Sequence, residues 1–81
     1  MIALTIYSRP GCHLCDEMKA LVERVALDLP VSVRHVDISD DPALEARYGL
    51  DIPVLELDGQ RIAKYRVTER DLRRAVAARH L

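Results

Sequence analysis

The sequence predicts one α/β domain whose four strands and three helices run in the order βαβαββα. Three observations carry this. A run of β-branched and apolar residues at 2–7 gives way, from Cys12, to apolar residues spaced three and four apart. A second apolar run, 52–57, ends on Asp58-Gly59, the strongest hairpin signal in the chain. The 81 residues suffice for one domain. A chain of this size buries roughly 60% of the surface it exposes when unfolded, so the core is thin. Phe and Trp are absent, so that core must be aliphatic, with Tyr7, Tyr48 and Tyr65 as the aromatics.

Residues 2–7 carry almost no polar interruption and read as a strand covered on both faces. Ser8 to Gly11 is a loop punctuated by Pro10 and Gly11. Leu14, Met18, Leu21, Val22, Val25 and Leu29 then form one apolar helical face, which Pro30 ends. Asp16 and Glu17 suit the positive end of that helix. Val31 to Ile38 alternates imperfectly and carries Arg34 and His35, as an edge strand does. Asp40 or Asp41 caps a short helix, Ala43 to Tyr48, with Pro42 at its start and Gly49 as its stop.

A third strand over 52–57 opens on a proline. Residues 60–65 return as a fourth, with Arg61 and Lys64 again typical of an edge. Thr68 with Asp71 three residues on resembles a capping box. Leu72, Ala75, Val76 and the stem of Arg79 line the inner face of a last helix. The helix between the first two strands makes them parallel, joined by a right-handed crossover. The last two strands form an antiparallel hairpin. The chain shows no internal repeat, linker or low-complexity tract.

Net charge is −1 with both signs interspersed. This gives no electrostatic case for nucleic acid, which would need a basic face. No apolar run approaches the ~20 residues of a membrane span, and the N-terminus lacks the pattern of a signal peptide. The expectation is a cytoplasmic monomer without nucleic-acid or membrane partners. His35 and His80 read as surface residues.

Both cysteines lie in Arg9-Pro10-Gly11-Cys12-His13-Leu14-Cys15-Asp16. In a reducing cytosol so close a pair is a poor structural staple, and redox or metal chemistry is the better default. The thiolate is the attacking species, and a free cysteine, with a pKa of about 8.5, is mostly un-ionised at neutral pH. Cys12 stands where the loop enters the helix, so the first turn's unpaired N–H groups and the helix dipole favour its anion. The Cys15 N–H and a charged His13 add to this. A two-unit fall in pKa corresponds to about 2.7 kcal/mol in favour of the anion. Cys15 lies nearly one turn later, on the same side but deeper. Cys12 therefore attacks and Cys15 resolves.

Taken together, Tyr7 to Cys15, the proline at 53, Asp58-Gly59 and Asp71-Leu72 make the chain resemble a glutaredoxin, over essentially its whole length. The nearest likeness is to small bacterial glutaredoxin-like proteins. The resemblance implies a thioredoxin fold over residues 1–81. Its four-stranded mixed sheet would have the order 2-1-3-4, with the first and last helices on one face and the middle helix on the other. It implies a cis Ile52–Pro53 bond, whose residue-52 backbone would pair with an extended substrate. It also gives Arg9, with Ile52 and Pro53, a place in substrate binding; His13 is a further substrate-binding candidate, although His13-Leu14 differs from the family's usual pair. Tyr65 and Arg66 would lie near the groove.

The implied activity is dithiol–disulfide exchange on a disulfide-containing protein or small thiol substrate, with no bound cofactor. Glutathione or a thioredoxin reductase would be the reductant. Ala63-Lys64 stands where glutaredoxins carry a Gly-Gly pair that holds glutathione, and Glu69 follows, which counts against glutathione. Two other readings remain. Cys12 and Cys15 of two chains could together hold zinc or an iron–sulfur cluster. Alternatively, the Ile52-Pro53 groove could bind extended peptides without catalysis.

Overall fold

The computed structural model describes residues 2–80, with side chains through Arg79. The expected surface position of the His80 side chain therefore lies outside the described residues. The elements are β1 (Ile2–Ser8), α1 (His13–Ala26), β2 (Val31–Asp37), α2 (Pro42–Tyr48), β3 (Val54–Leu57), β4 (Gln60–Lys64) and α3 (Glu69–His80). They form one mixed sheet in the order β2-β1-β3-β4. β1 is parallel to β2 and antiparallel to β3, and β3 pairs antiparallel with β4. The expected element order and sheet order are both observed.

Side chains alternate across a strand, so each strand serves both faces. Ile2, Leu4 and Ile6 of β1 join Leu55 and Leu57 of β3 beneath α1 and α3, which contribute Met18, Val22, Val25, Leu72 and Val76. On the opposite face Tyr7 and Val54 pack with Ile38, Leu44, Tyr48 and Ile52, next to α2. The main core is wholly aliphatic apart from Met18. Each fully buried Val, Leu or Ile stabilises by about 1.5–3 kcal/mol relative to exposure.

Two local readings are corrected, and a third, Gly49, gains its physical reason. α1 ends at Ala26, short of Pro30. Beyond it the Leu27 N–H turns to the Arg24 carbonyl and the Asp28 N–H to the Val25 carbonyl, so the backbone tightens into a three-residue turn. Leu29 still packs on the core, from a turn instead of a helix. Gly49 follows α2 as expected, but with φ −54°, not in the left-handed region. Its reason is space: a Cβ there would lie 2.5 Å from the Glu45 carbonyl oxygen and 3.3 Å from Arg9 Nη2. Finally, β3 opens at Val54 and β4 closes at Lys64, leaving Ile52, Pro53 and Tyr65 in the connections.

Other local signals hold. Asp41 caps α2 by accepting from the Ala43 and Leu44 N–H groups at 3.0 and 3.2 Å. Thr68 Oγ1 accepts from the Asp71 N–H at 3.1 Å at the start of α3. Asp58 and Gly59 both have positive φ, 49° and 86°, the pattern of the tight hairpin turn. Asp58 also receives the Ala3 N–H at 2.9 Å and Arg79 Nε at 2.9 Å, tying the hairpin to β1 and α3. The Ala3 N–H first, and then Arg79, hold its carboxyl below the usual range. α1 and α3 are clamped at their flank, where Arg73 reaches Asp28 and Glu69 at 3.0 Å each and Arg24 reaches Glu69 at 3.2 Å.

Candidate active site

The end of β1 delivers the chain to α1 through Arg9 to Gly11, and Gly11 makes the turn with φ 77°. Cys12 is the N-cap residue of α1, in extended conformation, and its Sγ accepts the Cys15 N–H at 3.1 Å. The Cys12 sulfur thus occupies the capping position usually held by Ser, Thr or Asp. Cys12 and Cys15 are joined in a disulfide. Cys15 is completely buried, whereas Cys12 keeps part of its surface in solvent. The asymmetry follows from the helix: residue 15 turns inward to the core, while residue 12 sits at the mouth.

Pro53, fully buried, follows a cis peptide bond from Ile52. Tyr7 is in register with Val54, so the end of β1 and the start of β3 are neighbours. This register brings the Ile52–Pro53 connection to the same end of the sheet as the cysteine turn. Among the described residues Ile52 makes no backbone hydrogen bond to the rest of the chain outside the regular elements. An extended peptide would find its N–H and C=O groups unoccupied.

The other two residues assigned to binding have definite partners. His13 is on the first turn of α1, 90% exposed, with Nε2 3.4 Å from Glu17 Oε2. Arg9 donates through Nη2 to Glu45 Oε1 on α2. Its guanidinium is thus bound to the protein's own acid, beside the glycine at 49. Glu69 is likewise occupied by Arg73 and Arg24, which hold its carboxyl below the usual range.

Two features escaped the sequence reading. The first is the pairing of Tyr7, Tyr48 and Glu56. The two rings stack with centroids 4.1 Å apart, and both hydroxyls donate to the Glu56 carboxylate, Tyr7 at 3.3 Å and Tyr48 at 2.9 Å. Glu56 is only 8% exposed, so these bonds replace much of its hydration. Burial, together with the carboxylate and the Tyr7 hydroxyl, pushes the Tyr48 hydroxyl up to about 12. An acid inside an apolar strand was the available signal, because such a group needs a partner.

The second is Tyr65, whose φ of 67° lies in the left-handed region. For a residue with a Cβ this costs roughly 1–2 kcal/mol. Its N–H donates to the Pro53 carbonyl at 2.8 Å and its hydroxyl to the Leu50 carbonyl at 2.9 Å. With Arg66 and Val67 it faces Leu14, Glu17, Met18 and Leu21 of α1 across a cleft of about 240 Å³. Tyr65 and Arg66 therefore line a cleft against α1, and Tyr65 also touches the Leu50 to Pro53 connection. Nothing in the local sequence marks residue 65 as left-handed.

No helix among the described residues is long and apolar enough to cross a membrane. The structure resembles that of protein XcR50 from X. campestris, 34% identical, with a TM-score of 0.79 over 93% of this chain and 96% of that one. It also resembles protein Ne2328 from Nitrosomonas europaea, with 23% identity and a TM-score of 0.78 over 93% and 91% of the two chains. A thioredoxin variant from Halobacterium salinarum, 23% identical, matches with a TM-score of 0.73 over 95% of this chain and 73% of that one. The last two likenesses show the fold alone. The sequence profile of the glutaredoxin-like domain (DUF836) matches residues 3–77, and the chain belongs to that family.

Proposed function

We propose that the protein is a thiol–disulfide oxidoreductase that reduces disulfides through Cys12 and Cys15. The observation that carries the proposal is the unequal, bonded pair at the start of α1. Cys12 caps the helix at the mouth, and Cys15 lies buried behind it. In the reduced protein the Cys12 thiolate receives the Cys15 N–H and the positive end of the α1 dipole.

The exchange proceeds in two steps. Cys12 Sγ attacks one sulfur of the substrate disulfide. An S–S bond forms between Cys12 and that sulfur as the substrate bond breaks, and the departing thiolate takes a proton from water. Cys15 then loses its proton and attacks Cys12 Sγ. The mixed disulfide breaks, the second substrate thiol leaves protonated, and the Cys12–Cys15 bond forms. Two electrons and two protons from an external thiol or dithiol restore the enzyme.

The substrate lies extended along Ile52-Pro53, and the free N–H and C=O of Ile52 pair with it as a short strand. His13, exposed beside the nucleophile, contacts the substrate, and Arg9 takes part once it exchanges Glu45 for a substrate carboxylate. The reductant is a dithiol protein in preference to glutathione. Glutathione's charged ends would have to displace the pairs Arg9–Glu45 and Glu69–Arg73, and the chain has Ala63-Lys64 in place of a glycine pair.

The test is reduction of a disulfide substrate with either glutathione or a thioredoxin reductase system as donor, for wild type and Cys12→Ser. Turnover should require Cys12 and proceed faster with the dithiol system. Equal turnover by Cys12→Ser would sink the enzyme reading, and faster turnover with glutathione would reverse the choice of donor.

A further inference from the structure

Tyr65 combines features that fold stability does not require together. It holds a left-handed backbone with a large side chain, where glycine would be free of strain. Its main chain and hydroxyl are both spent on the Leu50 to Pro53 connection, by bonds to the Pro53 and Leu50 carbonyls at 2.8 and 2.9 Å. The residue, 40% exposed, is therefore held in place where it lines the cleft. Left-handed, non-glycine residues held in place by their surroundings cluster at ligand clamps and active sites.

The opposite wall begins at Leu14, inside the cysteine motif, and continues through Met18 and Leu21. One cleft thus borders the first turn of α1, two residues beyond Cys12, and the residue that fastens the cis-proline connection. Its volume of about 240 Å³ lies below the roughly 300–1,000 Å³ of pockets that enclose whole small ligands. It exceeds the ~150 Å³ of an apolar cavity that accepts benzene. One large side chain is the fitting occupant. Leu14, Met18, Leu21 and Val67 make the lining apolar, and Glu17 and Arg66 at its edge carry opposite charges, so the cleft favours an uncharged group.

We infer that Tyr65 is a specificity-determining residue, and that the preferred substrate is a polypeptide disulfide with a large apolar residue adjoining its cysteine. This rests on the redox reading above. The peptide backbone pairs along Ile52, the substrate cysteine meets Cys12, and the neighbouring apolar side chain enters between Leu14 and Tyr65.

The experiment is single-turnover oxidation of the fully reduced protein by two synthetic peptide disulfides, which removes any dependence on a donor. The peptides are homodimers of Gly-Leu-Cys-Gly and Gly-Ser-Cys-Gly. The leucine peptide should react roughly tenfold faster or more, the discrimination an apolar pocket gives per methylene or two. In Tyr65→Gly, which keeps the positive φ without strain, that ratio should fall towards one. In Tyr65→Phe, which keeps the ring, it should persist. A general loss of rate cancels in the ratio. A wild-type ratio near one, or an undiminished ratio in Tyr65→Gly, overturns the inference and leaves the redox reading standing. A ratio lost equally in Tyr65→Phe assigns the effect to the hydroxyl tether and also overturns it. Failure of the reduced protein to react with either peptide overturns the redox reading, and this inference with it.

Discussion

Replacing Tyr48 with Phe should make the protein less stable at neutral pH and flatten its loss of stability in alkali. At neutral pH the variant strips Glu56 of the hydroxyl that donates to it at 2.9 Å, leaving only the longer bond from Tyr7 at 3.3 Å. A hydrogen bond to a charged group contributes about 1.5–3 kcal/mol. Because the carboxylate is almost enclosed, water does not readily replace it. A loss of about 2 kcal/mol lowers Tm by roughly 8–16 °C in a domain of this size. The alkaline effect has a definite sign. Tyr48 is raised from 10.0 to about 12 in the folded protein, which favours its protonated form. The associated stability is complete below pH 10 and is lost as pH rises through the folded value. Two units correspond to at most about 2.7 kcal/mol. The assay is urea unfolding of the oxidised protein at pH 7, 9, 10 and 11. Wild type and variant should differ most at pH 7 and converge above pH 10. A constant difference across the series would refute the claim that the hydroxyl is held un-ionised by its burial and by Glu56. A difference below about 0.5 kcal/mol at pH 7 would show that the hydrogen bond has little energetic weight.

Gly49→Ala should destabilise by about 1–3 kcal/mol, the usual range for overpacking. The added Cβ would lie 2.5 Å from the Glu45 carbonyl oxygen, although φ at −54° suits alanine. Unaltered urea unfolding would disprove the close approach. In the reduced protein, the rate of Cys12 alkylation plotted against pH should turn below the 8.5 of a free thiol, because Cys12 Sγ receives the Cys15 N–H at the α1 terminus. An ordinary midpoint would remove the capping argument. Arg73→Ala should make acid unfolding less steep. Hydrogen bonds from Arg73 hold the carboxyls of Asp28 and Glu69 low, so their stabilisation exists above the unfolded values of 3.8 and 4.5 and disappears as pH falls through the folded ones. Parallel acid transitions for wild type and variant would contradict this.

What the sequence revealed is what short-range chemistry encodes. The aliphatic run of β1 and the three- and four-residue spacing after Cys12 are local, and so are the Asp41 cap and the Asp58-Gly59 turn. All four appear as expected. The end of α1 was misplaced because Leu29 keeps the apolar period, yet it reaches the core from a turn. Gly49 was placed correctly as the stop of α2, but its crowding was hidden, since it comes partly from Arg9, forty residues away. The partners of Arg9 and Glu56 were illegible for the same reason. Register brings Glu56 opposite Thr5, two residues from Tyr7, while Tyr48 arrives from α2. The place of Tyr65 before the last helix was legible, but its left-handed backbone was not, since its N–H is held by the carbonyl of Pro53, twelve residues away.

Strand register explains why these remote pieces meet. Tyr7 lies opposite Val54, and Val54 lies opposite Lys64. The residues just beyond these positions, 9–15, 50–53 and 65–67, must therefore leave the sheet at one end. The candidate site is the set of connections at that end. It contains the cis bond and the left-handed tyrosine. The opposite end of the β1–β3–β4 sheet holds the Asp58-Gly59 turn, tied by Ala3 and Arg79. This separation gives the thin core two distinct duties. Changes at Asp58 or Arg79 act on the closure of β1, the hairpin and α3, and bear on stability. Changes at Tyr65 or Leu14 act at the end where the three connections leave the sheet, and on the proposal above they bear on which disulfide is admitted. A domain with so few buried side chains can carry strained backbone at its mouth because the bonds that hold it there run to connections already fixed by the sheet.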